Sequence, residues 1–375
     1  MVTRWTDAFL DGQRQIGDPE ADEVIAALHA SGETDAAERI LRTLIRNDQP
    51  PPGELPESVR SYLFETRDLP PWADSKLILR GEHLFQRWGM QMGVLLFHKA
   101  MAEGYLAARF ARVLSVTGAL ERDPQRRLLE TGQLVFDAMA PGGLDRGGKG
   151  IATALRVRLM HAAMRRGILD RAANDPSIWP ADMGQPISQE DMAFTLMGFS
   201  LLMLQGLRQL GAKITREDAE AYLHCWRVVG SFVGIDDTMN PDSLEDARGL
   251  LAAERRRQYT LTPEGLALEA AMLEMLEHMQ PRALRHLPRQ MIRYLIGRDY
   301  AEKLGIQRAP LPARIAFGAY IRLNRLGTRF VSVTRIANLA EPLNRAMLHA
   351  MVGASRGGDR EPFSVPESLR KTWRL

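Results

Sequence analysis

The chain contains a single cysteine, Cys225, among 375 residues. An intramolecular disulfide and any multi-cysteine zinc or iron–sulfur cluster within one chain are thereby excluded, which fits a reducing compartment. Lysine is nearly as scarce. Only six occur (76, 99, 149, 213, 303 and 371), against 43 arginines. Basic and acidic residues nonetheless almost balance, 49 to 46, so no nucleic-acid footprint is indicated. There is no long hydrophobic run. The longest uncharged stretch, 192–207, falls short of the roughly 20 residues that cross a bilayer, and Thr195, Ser200 and Gln205 interrupt it. The first residues, MVTRWTDAFLDGQRQIG, lack a basic start, an apolar core and a small-residue cleavage site. The expectation is a cytoplasmic protein. Runs of β-branched residues alternating at period two are also missing, and no 20–50-residue unit repeats, which disfavours sheets and solenoids.

What remains is helical periodicity along almost the whole chain. The fold class expected is all-α, a large helical bundle. Residues 19–47 read as two short amphipathic helices closed by the proline-rich NDQPPPGELP. An N-terminal helical appendage and linker over 1–56, a main domain over 57–353 and a polar tail over 354–375 follow from this punctuation. LFQRWGMQMGVLLFHKAMAEGYLAARFARVL reads as one long run, apolar on more than one side and hence interior to the bundle. Helices are expected at about 124–139 and 151–171, with breaks later at Pro281, Pro310, Pro312 and Pro342. Ser188 with Asp191, Thr215 with Asp218, and Ser243 with Asp246 each carry the hydroxyl-then-acid spacing of a helix start.

GLDRGGKG (143–150) approaches a phosphate-binding loop, but Gly150 stands where a magnesium-binding hydroxyl is needed and no strand precedes it. A turn is the better reading, with glycines that let the backbone pass close to something flat. The next helix is more informative. In ATALRVRLMHAAMRRGILDR, Arg158, His161 and Arg165 stand at i, i+3 and i+7 on one face, beside Ala154, Val157, Met164 and Ile168. Burying two guanidinium groups demands an anion nearby. Haem would meet the need, with imidazole on iron and Arg on the propionates; so would ordinary salt bridges around a buried histidine. Spacing alone favours the ordinary arrangement.

His98, and His224 beside Cys225, read as packing, since adjacent helical residues face different ways and cannot share one ion. Met192, Met197, Met203, Phe194 and Phe199 read first as core and second as the lining of a lipid tunnel.

Five segments together, RLLETGQLVFDAMAPGG, VRLMHAAMRR, GQPISQEDMAFTLMGFS, EAYLHCWRVVGSFVGI and RYLIGRDYAEKLG, resemble the domain shared by latex-clearing proteins (rubber oxygenases) and fungal prenyl-chain oxygenases of the MpaB-like kind. The resemblance covers most of the chain after about residue 60. It implies a globin-like core holding haem b, and oxidative cleavage of carbon–carbon double bonds of isoprenoid chains with dioxygen. It also implies His161 as the axial iron ligand, Arg158 and Arg165 as haem-supporting residues, and Arg293 as a further support. On the distal side the family's Arg, Lys and Thr fall on Arg127, Glu130 and Thr131, so a carboxylate replaces the lysine. That departure points away from polyisoprene toward a small unsaturated lipid, with Glu130 as a distal base. The expected partners are dioxygen and such a substrate, with peripheral membrane contact and oligomeric state left open. The alternatives are a non-catalytic haem protein, sensor or carrier, and a helical scaffold that has lost the cofactor.

Overall fold

The computed structural model describes residues 4–32, 46–118 and 124–333, apart from the side chains of 124–130 and 328–333. The described residues are helical throughout, joined by turns, with one isolated bridge between Ala107 and Tyr259. The fold is all-α, as the periodicity predicts.

The first four helices are α1 (Asp7–Arg14), α2 (Pro19–Ser31), α3 (Glu57–Glu65) and α4 (Ser75–Leu95). The long apolar run does not continue as one helix. After α4 it passes through a π-helical turn, Leu96–Ala100, then α5 (Met101–Tyr105), and breaks at the extended Ala107 before α6 (Ala108–Thr117). The π-helical turn carries the buried Lys99. Its ammonium donates to Glu103 and to the Leu295 carbonyl, both at 2.9 Å, and Glu103 is in turn held by Arg255 and by the Tyr259 hydroxyl at 2.7 Å. π-turns of this kind reset a helix's facing.

Next come α7 (Pro124–Met139) and α8 (Gly150–Asn174), then α9 (Gln189–Phe199), α10 (Leu201–Gln209), α11 (Arg216–Phe232) and α12 (Leu244–Gln258). The three capped starts form as the sequence predicts: Ser188 and Asp191 make a complete capping box, while Thr215 and Ser243 accept from the amides of Asp218 and Asp246. The chain closes with α13 (Pro263–His278), α14 (Leu287–Ile296), α15 (Arg298–Lys303) and α16 (Leu311–Val333). Pro342 and the tail lie outside the described residues.

Among the described residues the α4–α11 contact is the most extensive, and it is close because Gly81 has no side chain. A Cβ there would sit 2.7 Å from the Ala221 carbonyl oxygen and overlap the Cys225 sulfur. Cys225 is buried and donates to the Ile78 carbonyl at 3.3 Å, whereas His224 accepts from the Asp74 amide at 2.9 Å. The two neighbours do face different ways.

The 143–150 turn is equally tight, but what its glycines approach is protein. A Cβ on Gly148 would overlap the Gly142 and Gly143 carbonyls, and one on Gly150 would sit 2.7 Å from the Ala138 Cα. Asn47 stitches the turn, donating to the Gly143 carbonyl at 2.9 Å and accepting from the Ala152 amide at 3.0 Å. The expected approach to a flat ligand is therefore corrected: α7 and α8 are joined by backbone packed on backbone.

The segment expected as an appendage is also part of the main body. Trp5, Leu10, Ile25 and Leu28 belong to the same buried cluster as Met164 and Trp226. The second helix read within 35–47 falls largely outside the described residues.

Candidate functional site

A cavity of about 160 Å³ lies between α6, α7, α8, α9 and α11. Helix α8 contributes Val157, Met160, His161 and Met164. From α9 come Met192, Thr195, Leu196 and Phe199, and from α11 Trp226 and Val229. The Phe199 and Trp226 rings stack, 5.0 Å between centroids and 14° apart in plane, forming a flat aromatic wall. Phe194, Met197 and Met203 are instead core residues, so the aromatic–methionine stretch divides between the two roles considered for it.

His161 is the imidazole of this cavity. The other polar groups are the hydroxyls of Thr131 and Thr195 and the carboxylate of Asp191. Thr195 donates to the Asp191 carbonyl at 2.8 Å, which turns its oxygen back toward the helix backbone. Asp191 is neutralised by the buried Arg109, which reaches both Asp191 at 2.6 Å and Glu190 at 2.7 Å. Burial opposes the Arg109 charge, but the two carboxylates more than offset it and hold its pKa above the ordinary value. Glu190 is further bound by Arg14 and Arg257, at 2.8 and 2.9 Å. Close by, burial and the neighbouring Glu190 push the Glu254 carboxyl well up from the ordinary carboxylate range.

Arg158 and Arg165 do not line the cavity. Their helix positions lie farther round α8 than Val157, Met160 and Met164, and the long side chains reach toward α2. Arg158 makes a bidentate pair with Asp18, at 2.5 and 2.8 Å, and a third bond to Glu20 at 2.7 Å. Burial lowers its pKa while Asp18 raises it further, so the guanidinium stays charged. Arg165 pairs with Asp22 and donates to the carbonyls of Pro186 at 3.0 Å and Ile187 at 2.8 Å. The anion that burial requires is here carboxylate from the chain itself, Asp18 and Glu20 for Arg158 and Asp22 for Arg165, about 140 residues away in sequence. Arg293, on α14, bonds the Ile306 carbonyl and Glu302, and it too lies away from the cavity wall.

Thr131 of α7 also lines the cavity. Arg127 and Glu130 lie on the same helix, and their side chains are outside those described.

Among the described residues no three His, Cys, Asp or Glu side chains are grouped to hold a bare metal ion. One imidazole in an apolar cavity with a flat aromatic wall is instead the donor set suited to a tetrapyrrole iron, whose macrocycle brings its own equatorial nitrogens. The residues present fit such a group.

Residues 86–326 match the family model described as ER-bound oxygenase mpaB/B'/Rubber oxygenase, catalytic domain. The chain belongs to this family. It is similar to the rubber oxygenase of Streptomyces sp. (strain K30), 29% identical over 365 residues that make up 95% of this chain and 86% of the relative. It also resembles the solved structure of a latex clearing protein in the closed state. There the TM-score is 0.80 at 26% identity, covering 94% of this chain and 95% of that one. The fold, and an oxygenase catalytic domain, are thus shared with these proteins.

Two features of this oxygenase fold were not anticipated. Arg109 gives no sign of its partners, because Glu190 and Asp191 lie some 80 residues away. Ile187 lines the cavity with φ of +53°, a left-handed conformation that a β-branched residue rarely takes. Its only local signals are the preceding Pro186 and the cap at Ser188.

Proposed function

We propose that this chain is a haem-b-dependent oxygenase that acts with dioxygen on an unsaturated hydrophobic substrate, at or beside a carbon–carbon double bond. The observation that carries the reading is His161, set in the wall of an apolar cavity within a family of oxygenase catalytic domains. His161 would hold the iron through one ring nitrogen. Met160, Met164 and the Phe199–Trp226 wall would cover the flat faces and exclude water. When bound, haem would supply the activation of dioxygen, and the protein supplies orientation and a dry site.

We assign Thr131, which lines the same cavity, a distal polar role beside the substrate. Arg127 and Glu130 share its helix, and we assign them the distal polar roles: Arg127 as a second donor and Glu130 as a base. Arg158 and Arg165 act as positioning residues, fastening the His161 helix to α2 and to the 186–187 loop. The apolar cavity and the rubber oxygenase relative support a hydrophobic, isoprenoid-like substrate, and the carboxylate at Glu130 supports a small unsaturated lipid over the polymer.

The test is an absorption spectrum of wild type and His161→Ala, each produced with haem available. A Soret band that responds to reduction and carbon monoxide in the wild type, and is lost in the variant, is expected; absence of the band in the wild type would sink the reading. Dioxygen uptake with unsaturated lipids then separates an oxygenase from a non-catalytic haem protein, and unchanged turnover and pH profile in Glu130→Gln would remove the base assignment.

A further inference from the structure

Helix α16 is attached to the body along one narrow line. Phe317 and Ile321 are buried, Phe317 meets Tyr294 edge-on at 5.9 Å, and Asn324 and Arg325 donate to the carbonyls of Leu210 and Gln209 at 3.2 and 3.0 Å. The opposite face is open and apolar. Ile315 is 65% exposed and Leu323 69%, with Leu311 and Leu326 also more than half exposed. At about 100° per residue these four side chains, with the exposed Ala319 among them, fall within an arc of about 120°. Single exposed leucines need no explanation, but a stripe along about four turns of one helix does.

The charges on α16 say what kind of partner fits. Its sequence carries Arg314, Arg322, Arg325 and Arg329 and no acidic residue. Arg314 and Arg322 are exposed and have no carboxylate partner among the described residues; Arg314 lies beyond one edge of the stripe and Arg322 just inside that same edge. A second copy of this face would set arginines against arginines. The chain's own residues 334–375 contain four acidic against seven basic side chains and so are no better matched. An apolar stripe edged by arginine is instead complementary to a surface that is hydrophobic within and anionic outside.

We propose that α16 is a membrane-surface helix, which lies in the interface of an anionic phospholipid bilayer with Leu311, Ile315, Leu323 and Leu326 among the acyl chains and Arg314 and Arg322 at the headgroup phosphates. No helix of the described residues is long and apolar enough to cross a membrane, so the attachment is peripheral. The inference does not rest on the haem reading.

The experiment is co-sedimentation of the full chain with phosphatidylcholine vesicles, with and without phosphatidylglycerol. Wild type is expected to bind the anionic vesicles and to be released by high salt. Ile315→Ser/Leu323→Ser/Leu326→Ser should lose at least about tenfold in binding, and Arg314→Gln/Arg322→Gln should lose the preference for anionic lipid. All these side chains are exposed, so unchanged circular dichroism is expected and confirms folding. Maleimide labelling of Leu323→Cys, with Cys225 buried, should be fast in solution and slowed by anionic vesicles. The proposal is overturned by wild type that ignores both vesicle kinds, by a serine variant that binds like wild type, or by slow labelling without vesicles, which would mean the face is already covered. A wild-type dimer that the serine variant converts to monomer would assign the stripe to a second copy and overturn it equally.

Discussion

Arg165 lies one turn along α8 from His161, and its guanidinium donates a 2.8 Å hydrogen bond to the carbonyl of Ile187, the residue whose backbone sits at positive φ in the cavity wall. A strained β-branched residue costs on the order of 1–3 kcal/mol and persists only where its surroundings hold it. The helix that presents the imidazole therefore also fixes the loop that closes the cavity beside it. Arg165→Met would leave the Pro186 and Ile187 carbonyls without this donor, at roughly 1–3 kcal/mol for each buried group. We expect about 3 kcal/mol lost in urea unfolding, with a broadened Soret band in the haem-loaded protein. A loss below about 1 kcal/mol would show that the loop holds itself.

The pairing of Arg158 with Asp18 makes a different demand. If its function is to fasten α2 to α8, Asp18 and Arg158 are energetically coupled in the protein without cofactor. A double-mutant cycle with Asp18→Asn and Arg158→Gln is expected to give a coupling of about 2 kcal/mol, because breaking one side of a buried pair strands the other charge. Negligible coupling in the cofactor-free chain, together with haem retention weakened by Arg158→Gln, would return Arg158 to a propionate.

Glu269 on α13 is 1% exposed, and neither of its carboxyl oxygens has a hydrogen-bond partner among the described residues. Burial pushes its pKa up from 4.5 to about 8. Because the folded chain keeps this proton while the unfolded chain releases it, stability falls as pH rises between those two values. At about 1.36 kcal/mol per unit the loss is about 5 kcal/mol. Glu82, raised to about 7 by burial despite accepting from the Gly142 amide, acts in the same direction. Glu269→Gln is expected to make the profile of unfolding free energy between pH 5 and 8 less steep, leaving the slope due to Glu82 and Glu254; an unaltered slope would mean that Glu269 is ionised in the fold.

Gly148→Ala tests the turn that starts the His161 helix. The added methyl would overlap two carbonyl oxygens of the same turn, and backbone cannot yield as a side-chain end can. A loss of about 3 kcal/mol is expected, by analogy with overpacking, together with weakened haem retention. Gly147→Ala, where nothing lies within 4 Å, is the control and is expected to be close to neutral.

Much of this architecture was legible in the order of residues, because it rests on local chemistry. The starts of α9, α11 and α12 depend on a hydroxyl and an amide three residues apart, and the turn between α7 and α8 on adjacent glycines. The period of apolar residues placed α8, and with it His161 beside Val157 and Met164. The need of Arg158 and Arg165 for anions was equally readable, since the cost of burying a guanidinium does not depend on the fold. Which anions they meet was not: Asp18, Glu20 and Asp22 belong to a segment that reads as an appendage, and only the packing of α2 on α8 brings them across. The same holds for Arg109 with Asp191, for the Phe199–Trp226 wall and for the open face of α16. Each is a relation between surfaces distant in sequence, decided when helices dock, and no local propensity encodes the outcome.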